Sequence, residues 1–292
     1  MDQNAVSRIR RFNRAITREA GALDTSFLGR GRPLGAARVL ACVGPNGTDV
    51  ADIRGILGLD SGLLSRFLRR LESEGLVTTE GAPTDRRRRT AHLTSDGLAE
   101  RAEYDRLNDA FADRMLQRLS GSADEALATM DLIANRLNRD RITIAPIDPE
   151  APVAKACLAD YFALLSERVA GISAAHVPDP DPQAGHYRPP VGTFLVAWSD
   201  GLPLGCVSLK TINTTTGEVK RLWIAPSARG MGLARRMMTA IEAEARTMGL
   251  TRLRLDTNAA QTAAITLYRT TGWQDAKPYS DFPATRWFEK RL

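Results

Sequence analysis

The chain has few of the residues that form covalent cross-links or hold metals, because its 292 residues include only three cysteines and three histidines. The cysteines stand apart among small and apolar neighbours, which predicts buried free thiols and neither a disulfide nor a metal site. A run of about 18 apolar residues, the length that a membrane-spanning helix needs, is missing. The first residues also lack the apolar core of a signal peptide. We therefore expect a cytoplasmic protein with no bound metal and no membrane span.

Lysine is missing from residues 1–140, which hold 22 arginines against 20 acidic residues, whereas residues 141–292 hold 18 basic and 14 acidic residues. The net charge of +6 permits an acidic partner, but neither half is basic enough to identify nucleic acid as that partner. The length, with 43% hydrophobic and 25% charged residues, predicts two globular domains. A strand predicted at residues 141–146 places the domain boundary near residue 140, giving domains of residues 1–140 and 141–292.

Three short helices are predicted in the first half, at residues 34–43, 50–57 and 62–74. A three-residue turn, Gly58-Leu59-Asp60, separates the last two, and Asp60 or Ser61 can cap the third helix. Two helices joined in this way form a helix-turn-helix, and the second helix would enter the major groove of DNA. The polar face of that helix, which we expect to contact DNA, consists of Ser61, Ser65, Arg66, Arg69 and Arg70.

A β-hairpin is predicted directly after this motif, with strands at residues 75–80 and 90–94. The segment between the strands contains four consecutive arginines, of which we expect Arg86, Arg87 and Arg88 to contact DNA. A run of charges is usually only a solvated surface. Here DNA contact is favoured, because an arginine-rich hairpin beside a helix-turn-helix can neutralise phosphates and enter the minor groove.

The first half resembles the MarR family of winged-helix regulators. The resemblance is carried by Asp60-Ser61, by Leu71-Glu-x-x-Gly-Leu-Val77, by the Asp-x-Arg of Asp85 and Arg87, and by Leu93-Thr-x-x-Gly97. It implies a mainly α-helical winged-helix domain that binds a double-stranded DNA operator and associates with the nucleoid when so bound. It also implies a homodimer, formed by the first and last helices of the domain at residues 3–20, 95–119 and 122–140. Two-fold symmetry of the dimer would match the symmetry of an operator.

A glycine turn between a strand and a helix is the most informative part of the second half. Residues 217–225 favour a strand, Arg229-Gly-Met-Gly-Leu-Ala234 forms the turn, and apolar residues at helical spacing continue to Ala245. Free N–H groups in the turn and at the start of the helix can bind an anion. A dinucleotide fingerprint is excluded because Arg235 replaces the third glycine, and the P-loop lysine is also missing. An ordinary glycine turn is the alternative.

A second stretch favours a specific family. Residues 252–257 alternate as a strand, Asn258 opens a helix that contains Leu267-Tyr268, and Gly272-Trp273 closes it. The two stretches, in this order, resemble motifs A and B of the GNAT acetyltransferases over roughly residues 141–292. The resemblance implies an α+β fold with a mixed, mostly antiparallel central sheet, and acetyl-CoA as co-substrate. The residues implied to hold acetyl-CoA are Leu222, Trp223, Ile224, Arg229, Gly230, Met231, Gly232, Leu233, Ala234, Arg235 and Asn258.

The resemblance also implies roles in catalysis. Tyr268 matches the GNAT tyrosine that protonates the thiolate of coenzyme A, although a tyrosine in this position can instead pack into the core. Glu218 is the best candidate for the general base, and a salt bridge to Lys220 or Arg221 is an equal alternative. No cysteine or serine has the setting of a nucleophile, so direct transfer is favoured over an acyl-enzyme. The loop at residues 178–190 would help select the acceptor, with His186 and Tyr187 expected to be structural.

The sequence therefore predicts a MarR-type dimer fused to an N-acetyltransferase that acts on a small amine, such as an amino acid or an antibiotic-like molecule. Two alternatives remain open at this level. The second domain could be a sensor of acetyl-CoA or an amine that no longer turns over, or the chain could be a protein acetylase recruited to DNA.

Overall fold

The computed structural model describes residues 3–82, 85–172 and 181–292, with the side chains of residues 82 and 85–87 left outside that description. The chain divides into two compact units, Met1–Gly121 and Ser122–Leu292, which are described separately below. No helix of the described part is long and apolar enough to cross a membrane.

The first unit is a winged helix-turn-helix, as the sequence predicts. Its helices are α1 (Gln3–Glu19), α2 (Leu34–Ala41), α3 (Val50–Leu57), α4 (Ser61–Ser73) and α5 (Ser95–Arg118), and its strands are β1 (Thr48–Asp49), β2 (Val77–Ala82) and β3 (Asp85–Leu93). Asp49 caps α3 by accepting a hydrogen bond from Ala51 N over 2.8 Å, and Asp60 caps α4 through Leu63 N over 2.9 Å. Gly58 turns the chain between these helices at a φ of 62°.

The core of the first unit lies where α2, α3 and α4 meet the wing. Val39, Leu40, Ile53, Leu68 and Leu71 are buried there in one cluster. The wing is a three-stranded sheet of order β1-β3-β2, in which β3 pairs antiparallel with both neighbours. Strand β3 begins before the four arginines, so their backbone belongs to the strand and not to a separate loop. The predicted tip at residues 81–84 lies partly outside the described residues.

Helix α6 (Ala123–Leu137) belongs to the second unit in this structure, although the sequence analysis grouped residues 122–140 with the first domain. The physical reason is a set of polar contacts near its end. Asn135 Nδ2 donates to Ser227 Oγ over 3.1 Å, and Arg136 Nη2 donates to the Arg229 carbonyl over 3.2 Å. The amphipathic pattern of α6 shows that one face is apolar, but it does not identify what the polar face contacts.

The second unit is built on a seven-stranded mixed sheet of order β4-β5-β6-β7-β8-β10-β9, in which only the β7–β8 pair is parallel. The strands are β4 (Thr143–Pro146), β5 (Gly192–Ser199), β6 (Leu202–Thr211), β7 (Thr216–Ile224), β8 (Arg252–Thr257), β9 (Gln274–Asp275) and β10 (Arg286–Arg291). Helices α7 (Pro152–Arg168), α8 (Leu233–Thr247) and α9 (Thr262–Thr270) complete the unit. This α+β fold with a mostly antiparallel sheet confirms the predicted fold class.

Two separate clusters of buried residues form the core of the second unit. The larger cluster includes residues of α8, of β5 to β8 and of β10, among them Met237, Ile241, Leu253 and Phe288. The smaller cluster includes Cys157 of α7 and Phe194, Val196 and Cys206 of β5 and β6. The sheet therefore packs helices against both faces.

Two local features open the middle of this sheet. Strands β7 and β8 pair only from Thr216–Arg252 to Glu218–Arg254, and their register ends there. In the β6–β7 pair, Ser208 faces Lys220 and Cys206 faces Trp223, so that Arg221 and Leu222 together face Val207. This is a β-bulge, and Arg221 adopts a positive φ of 60° within it. Strands β7 and β8 thus separate beyond Glu218.

Candidate functional site

The glycine turn opens into the first of three cavities in the second unit. Gly230 and Gly232 have φ values of 74° and 80°, which only glycine adopts without strain. A Cβ built on Gly232 would meet nothing within 4 Å, so the backbone is open at this point. Gly232 is the N-cap of α8 and no side chain bonds to the cap. The first N–H groups of α8 have no intrahelical acceptors and can therefore bind an anion.

This cavity, called here the donor cavity, has a volume of about 460 Å³. Three arginines contribute to its wall, Arg168, Arg229 and Arg235. Burial and the nearby charge of Arg168 lower the pKa of Arg229. These positive charges and the open helix terminus fit a phosphorylated ligand. Of the residues predicted to hold the cofactor, the donor cavity is lined by Leu222, Trp223, Ile224, Arg229, Gly230, Gly232, Leu233, Ala234 and Arg235.

Met231 and Asn258 are placed differently from the other predicted cofactor residues. Met231 is buried in the core and is not among the residues that line the donor cavity. Asn258 donates a hydrogen bond to the Pro283 carbonyl over 2.7 Å and accepts one from Ala260 N over 3.0 Å. Helix α9 therefore begins at Thr262, after this turn, and not at Asn258 as predicted. Asn258 lines the neighbouring cavity and holds the chain near Pro283 in place.

The exposed edge of β7 supplies main-chain groups between the donor cavity and its neighbour. Ala225 N donates to Leu204 O on β6 over 2.9 Å. Because N–H groups alternate in direction along a regular strand, the N–H of Ile224 points the other way, to the side where β8 has separated. The Ile224 carbonyl accepts from Arg229 Nε over 3.2 Å on that same side. Leu222 lies in the bulge of the same strand, and neither Leu222 nor Ile224 pairs with β8, so main-chain N–H groups here can polarise a carbonyl oxygen.

The second cavity, called here the central cavity, has a volume of about 180 Å³ and contains Tyr268 in its wall. It shares Leu164, Leu222, Gln261 and Ala264 with the donor cavity. Tyr268 is 6% exposed and its ring lies 5.6 Å from that of Phe288. Burial raises the pKa of Tyr268, and the phenol therefore keeps its proton at neutral pH. Tyr268 thus packs into the core and also lines the cavity, and its role as a proton donor stays a prediction.

Glu218, the predicted base, lies inside a cluster of positive charges. Its carboxylate is 3.3 Å from Lys210 Nζ, 3.6 Å from Lys220 Nζ and 3.5 Å from Arg254 Nε. The residue is 4% exposed and is not among those described as lining the three cavities. The salt bridge to Lys220, which the sequence offered as the alternative, is therefore present. This geometry gives Glu218 a part in positioning Lys220, and its role as general base stays a prediction.

The third cavity, called here the arginine cavity, has a volume of about 520 Å³ and shares Tyr161, Lys220 and Arg221 with the central cavity. Lys220 Nζ is paired with Asp256, and Arg221 Nη2 lies 2.6 Å from Asp181 Oδ2. Tyr187 also lines this cavity, and burial raises the pKa of its phenol. His186 is exposed. Residues 178–180, the first part of the loop expected to select the acceptor, lie outside the described residues.

Sequence reasoning did not identify Tyr161, Arg168 or Arg221 as parts of these walls. Tyr161 and Arg168 lie on α7, where the sequence shows only an amphipathic helix. The position of Arg221 could have been recognised from the sequence, because it directly follows another basic residue, Lys220, within a predicted strand. In a regular strand one of two consecutive side chains enters the core, which is costly for a charge. Two consecutive basic residues in a central strand therefore indicate an irregularity at that point.

The predicted DNA-contacting residues of the first unit fall into two groups. Ser61, Arg66 and Arg69 are exposed along α4, and Ser65 is half-buried beside them. Arg70 instead donates to Glu74 Oε1 over 2.9 Å and to the Gly31 carbonyl over 2.7 Å, so its guanidinium holds a loop of its own unit. Arg88 Nη2 forms an ion pair with Asp49 Oδ2 over 2.9 Å. The side chains of Arg86 and Arg87 lie outside the described residues.

Comparisons with known proteins assign the two halves to two families. A model of the acetyltransferase (GNAT) family matches residues 157–273, and a model of the MarR family matches residues 30–88. Over 104 residues the chain is 40% identical to an IAA acetyltransferase of Azospirillum brasilense, which covers 34% of this chain and 67% of that protein. Over 75 residues it is 36% identical to the transcriptional regulator HosA of Escherichia coli O111:H-, which covers 26% of this chain and 54% of that protein.

A solved structure gives a weaker likeness. The GNAT family acetyltransferase from Elizabethkingia anophelis, with acetyl-CoA bound, is 18% identical, with a TM-score of 0.38, and the alignment covers 52% of this chain and 99% of that one. The chain thus spans two thirds of one curated relative and about half of the other. The family models and these relatives show that the chain belongs to the GNAT acetyltransferase family and that its first half contains a MarR-family region.

Proposed function

We propose that the second unit transfers the acetyl group of acetyl-CoA to a small amine, and that the first unit binds a DNA operator as part of a homodimer. The observation that carries the enzymatic part is that the donor and central cavities share four lining residues, so that the open glycine turn lines one cavity and Tyr268 lines its neighbour. The match to the acetyltransferase family supports acetyl-CoA as the co-substrate.

The residues of the donor cavity fit the parts of acetyl-CoA. The pyrophosphate matches the open N-terminus of α8, where Gly232 leaves space and Arg229 and Arg235 supply charge. When bound, this co-substrate supplies an activated thioester carbonyl. The N–H groups of Leu222 and Ile224 are free to polarise that carbonyl oxygen. Tyr268, kept protonated by burial, can donate its proton to the leaving sulfur.

The first unit supplies a charged surface suited to DNA. Arg66 and Arg69 extend from α4, the second helix of the helix-turn-helix, and both are exposed. An operator-binding measurement across a series of salt concentrations tests this surface. Replacing Arg66 by glutamine should weaken binding and lower the salt slope by about one. The matched control is Arg106→Gln on α5, whose exposed guanidinium is paired with Glu103 in the first unit, and equal effects of the two changes would contradict the assignment.

The homodimer is supported by large apolar side chains that are exposed on two helices of the described residues. Helix α1 has no buried residue and exposes Ile9, Phe12 and Ile16. Helix α6 exposes Leu127, Ile133 and Leu137, and the exposed fraction of Leu137 is 80%. Apolar stripes on solvent-exposed helices are typical of oligomer contacts. A molar mass measured in solution by light scattering should therefore correspond to two chains, and a monomeric mass would contradict this part of the proposal.

Turnover separates this proposal from its alternatives. The full chain is incubated with acetyl-CoA and either a panel of small amines or a lysine-rich protein, and the released thiol is measured. The proposal predicts release with small amines in the panel. Release only with the protein would indicate a protein acetylase. Tight binding of acetyl-CoA without release on any acceptor would indicate a sensor.

A further inference from the structure

Arg221 and Lys220 are consecutive in β7, yet both line the central and arginine cavities. Consecutive residues of a regular strand point to opposite faces. The bulge at Val207 and the positive φ of Arg221 remove this alternation and turn the second basic side chain toward the cavities. A residue other than glycine is strained in this conformation. Backbone strain of this kind is typical of residues that act in a site.

The guanidinium of Arg221 is held firmly but is only partly satisfied. Its Cζ atom lies 4.3 Å from the centroid of the buried Tyr187 ring, a cation–π distance. Nη2 lies 2.6 Å from Asp181 Oδ2, but the two groups are not aligned as a hydrogen bond. Nη1 is buried and has no hydrogen-bond partner within the described part of the chain. Such a buried donor is costly unless a ligand or another group satisfies it.

Among the described residues, the charges around Arg221 do not cancel. The ion pairs of this region join four cations, Lys210, Lys220, Arg221 and Arg254, to three carboxylates, Asp181, Glu218 and Asp256. Four positive and three negative charges leave one positive charge. A ligand with one negative charge would neutralise it, whereas a phosphate dianion would exceed it.

We propose that Arg221 binds a carboxylate of the acceptor, so that the acceptor is an amine that also carries a carboxylate, as an amino acid does. This inference rests on the proposed acetyl transfer. A carboxylate presents two coplanar oxygens, which suit the planar guanidinium. The Tyr187 ring lies against one face of the guanidinium. The carboxylate of Asp181 offsets part of the positive charge, so the site suits a ligand with a single negative charge. Arg221 is thus a residue that determines which amines are accepted.

The first test compares acceptors that differ only at the carboxylate. An amino acid, its amide and the amine that lacks the carboxylate altogether are each assayed with the wild-type chain and acetyl-CoA. The carboxylate should raise kcat/KM by roughly 10- to 100-fold over the amide, the range of a charge-assisted hydrogen bond. Equal values for the acid and its amide, across several side chains, would overturn the inference.

The second test uses variants of the arginine. Arg221→Gln keeps a planar polar group at the strained position but removes the charge, so the ratio of kcat/KM for the acid to kcat/KM for the amide should fall to about one. Arg221→Lys restores the positive charge but lacks the planar pair of N–H donors of a guanidinium. It should therefore recover part of the preference for the acid. The control is Arg252→Gln, which removes one positive charge from β8 at an exposed ion pair with Glu289 and should leave the preference intact. An acid preference that survives Arg221→Gln would overturn the inference.

A binding measurement separates this inference from the proposed activity. The N-acetylated amino acid, which is the expected product, is titrated by calorimetry into the wild-type chain and into Arg221→Gln. Binding that depends on Arg221, in a chain that releases no thiol, would support the carboxylate site and refute acetyl transfer. Turnover of amines and acids alike, with no binding of the product acid, would support acetyl transfer and refute the site. If Arg221→Gln does not fold, the comparison of acid and amide in the wild type decides the matter.

Discussion

Asn135 of α6 donates a hydrogen bond to Ser227, which lies in the short 3-10 turn ahead of the glycine turn. The next residue, Arg136, donates to the carbonyl of Arg229 at the start of the glycine turn. Arg236 of α8 in turn donates to the carbonyls of Arg139 and Ile142, over 3.2 and 2.6 Å. The helix that the MarR resemblance assigns to dimer contacts is therefore bonded to the segment that forms the donor cavity.

These contacts predict that acetyl-CoA changes operator affinity. Binding at the glycine turn should shift α6, and a shift of a dimer helix alters the spacing of the two recognition helices. We expect a change of about 5- to 100-fold in operator affinity between ligand-free and acetyl-CoA-bound chains at one fixed salt concentration. DNA should change the affinity for acetyl-CoA by the same factor.

Asn135→Ala tests whether the contact carries this coupling. The buried amide of Asn135 is 6% exposed, and its loss should reduce the ligand-dependent change while both ligands still bind. Asn138→Ala is the control, because that exposed amide near the end of the same helix contacts Asp200 and not the turn. The idea fails if operator affinity is the same with acetyl-CoA, with the amine, with both and with neither.

Gly232→Asp is predicted to abolish acetyl-CoA binding. The new carboxylate would project from the N-cap of α8 into the space assigned to pyrophosphate, and like charges repel. The matched control is Gly249→Asp at the other end of α8, where φ is 78° and a new Cβ also meets nothing within 4 Å. Both changes impose the same backbone strain and charge. Calorimetry should show lost binding for the first variant only, and unchanged affinity in Gly232→Asp would remove the turn from the site.

Tyr268→Phe is predicted to lower the maximal rate by about 10²-fold or more, because only the proton donor is removed. The affinity for acetyl-CoA should change little, since Tyr268 lines the central cavity and not the donor cavity. Steady-state kinetics, with acetyl-CoA affinity measured separately, gives both quantities. An unaltered rate would mean that Tyr268 acts only in packing.

Alkaline stability should also depend on Tyr268. Burial raises its pKa in the folded chain, so above pH of about 10 the unfolded chain releases the phenolic proton while the folded chain retains it. The unfolded chain then binds fewer protons, and the free energy of unfolding falls as pH rises, by about 1.4 kcal/mol per pH unit. Denaturant unfolding from pH 8 upward should show a smaller loss in Tyr268→Phe than in the wild type. Equal losses would show that the phenol is not shielded as described.

Hydrophobic periodicity and cap residues were sufficient to predict most helices and strands. The caps at Asp49 and Asp60, the glycine turn before α8 and the strand at residues 252–257 all follow from local chemistry that the sequence displays. The GNAT and MarR assignments rest on these same segments. Local interactions of this kind are readable because residues close in sequence determine them.

The walls of the site depend on interactions that a single sequence does not display. Arg221 faces the cavities because a bulge opposite Val207 changes its register, and the consecutive Lys220 and Arg221 indicate an irregularity there without identifying the residues that it brings together. Glu218 is surrounded by Lys210 and Arg254, which come from neighbouring strands. Asn135 has a partner 92 residues away. In each case the decisive contact joins distant parts of the chain, so composition and periodicity could not predict it.

Transfer of an isotope-labelled acetyl group is the most direct test of the central claim. The full chain is incubated with acetyl-CoA labelled in its acetyl group and with a small amino acid, and the products are analysed by mass spectrometry. We predict that the label appears on the nitrogen of the amino acid, that Gly232→Asp abolishes this product and that Gly249→Asp does not. Label that remains on coenzyme A, or that is released as free acetate with every amine tried, would contradict the assignment of the second unit as a small-amine acetyltransferase.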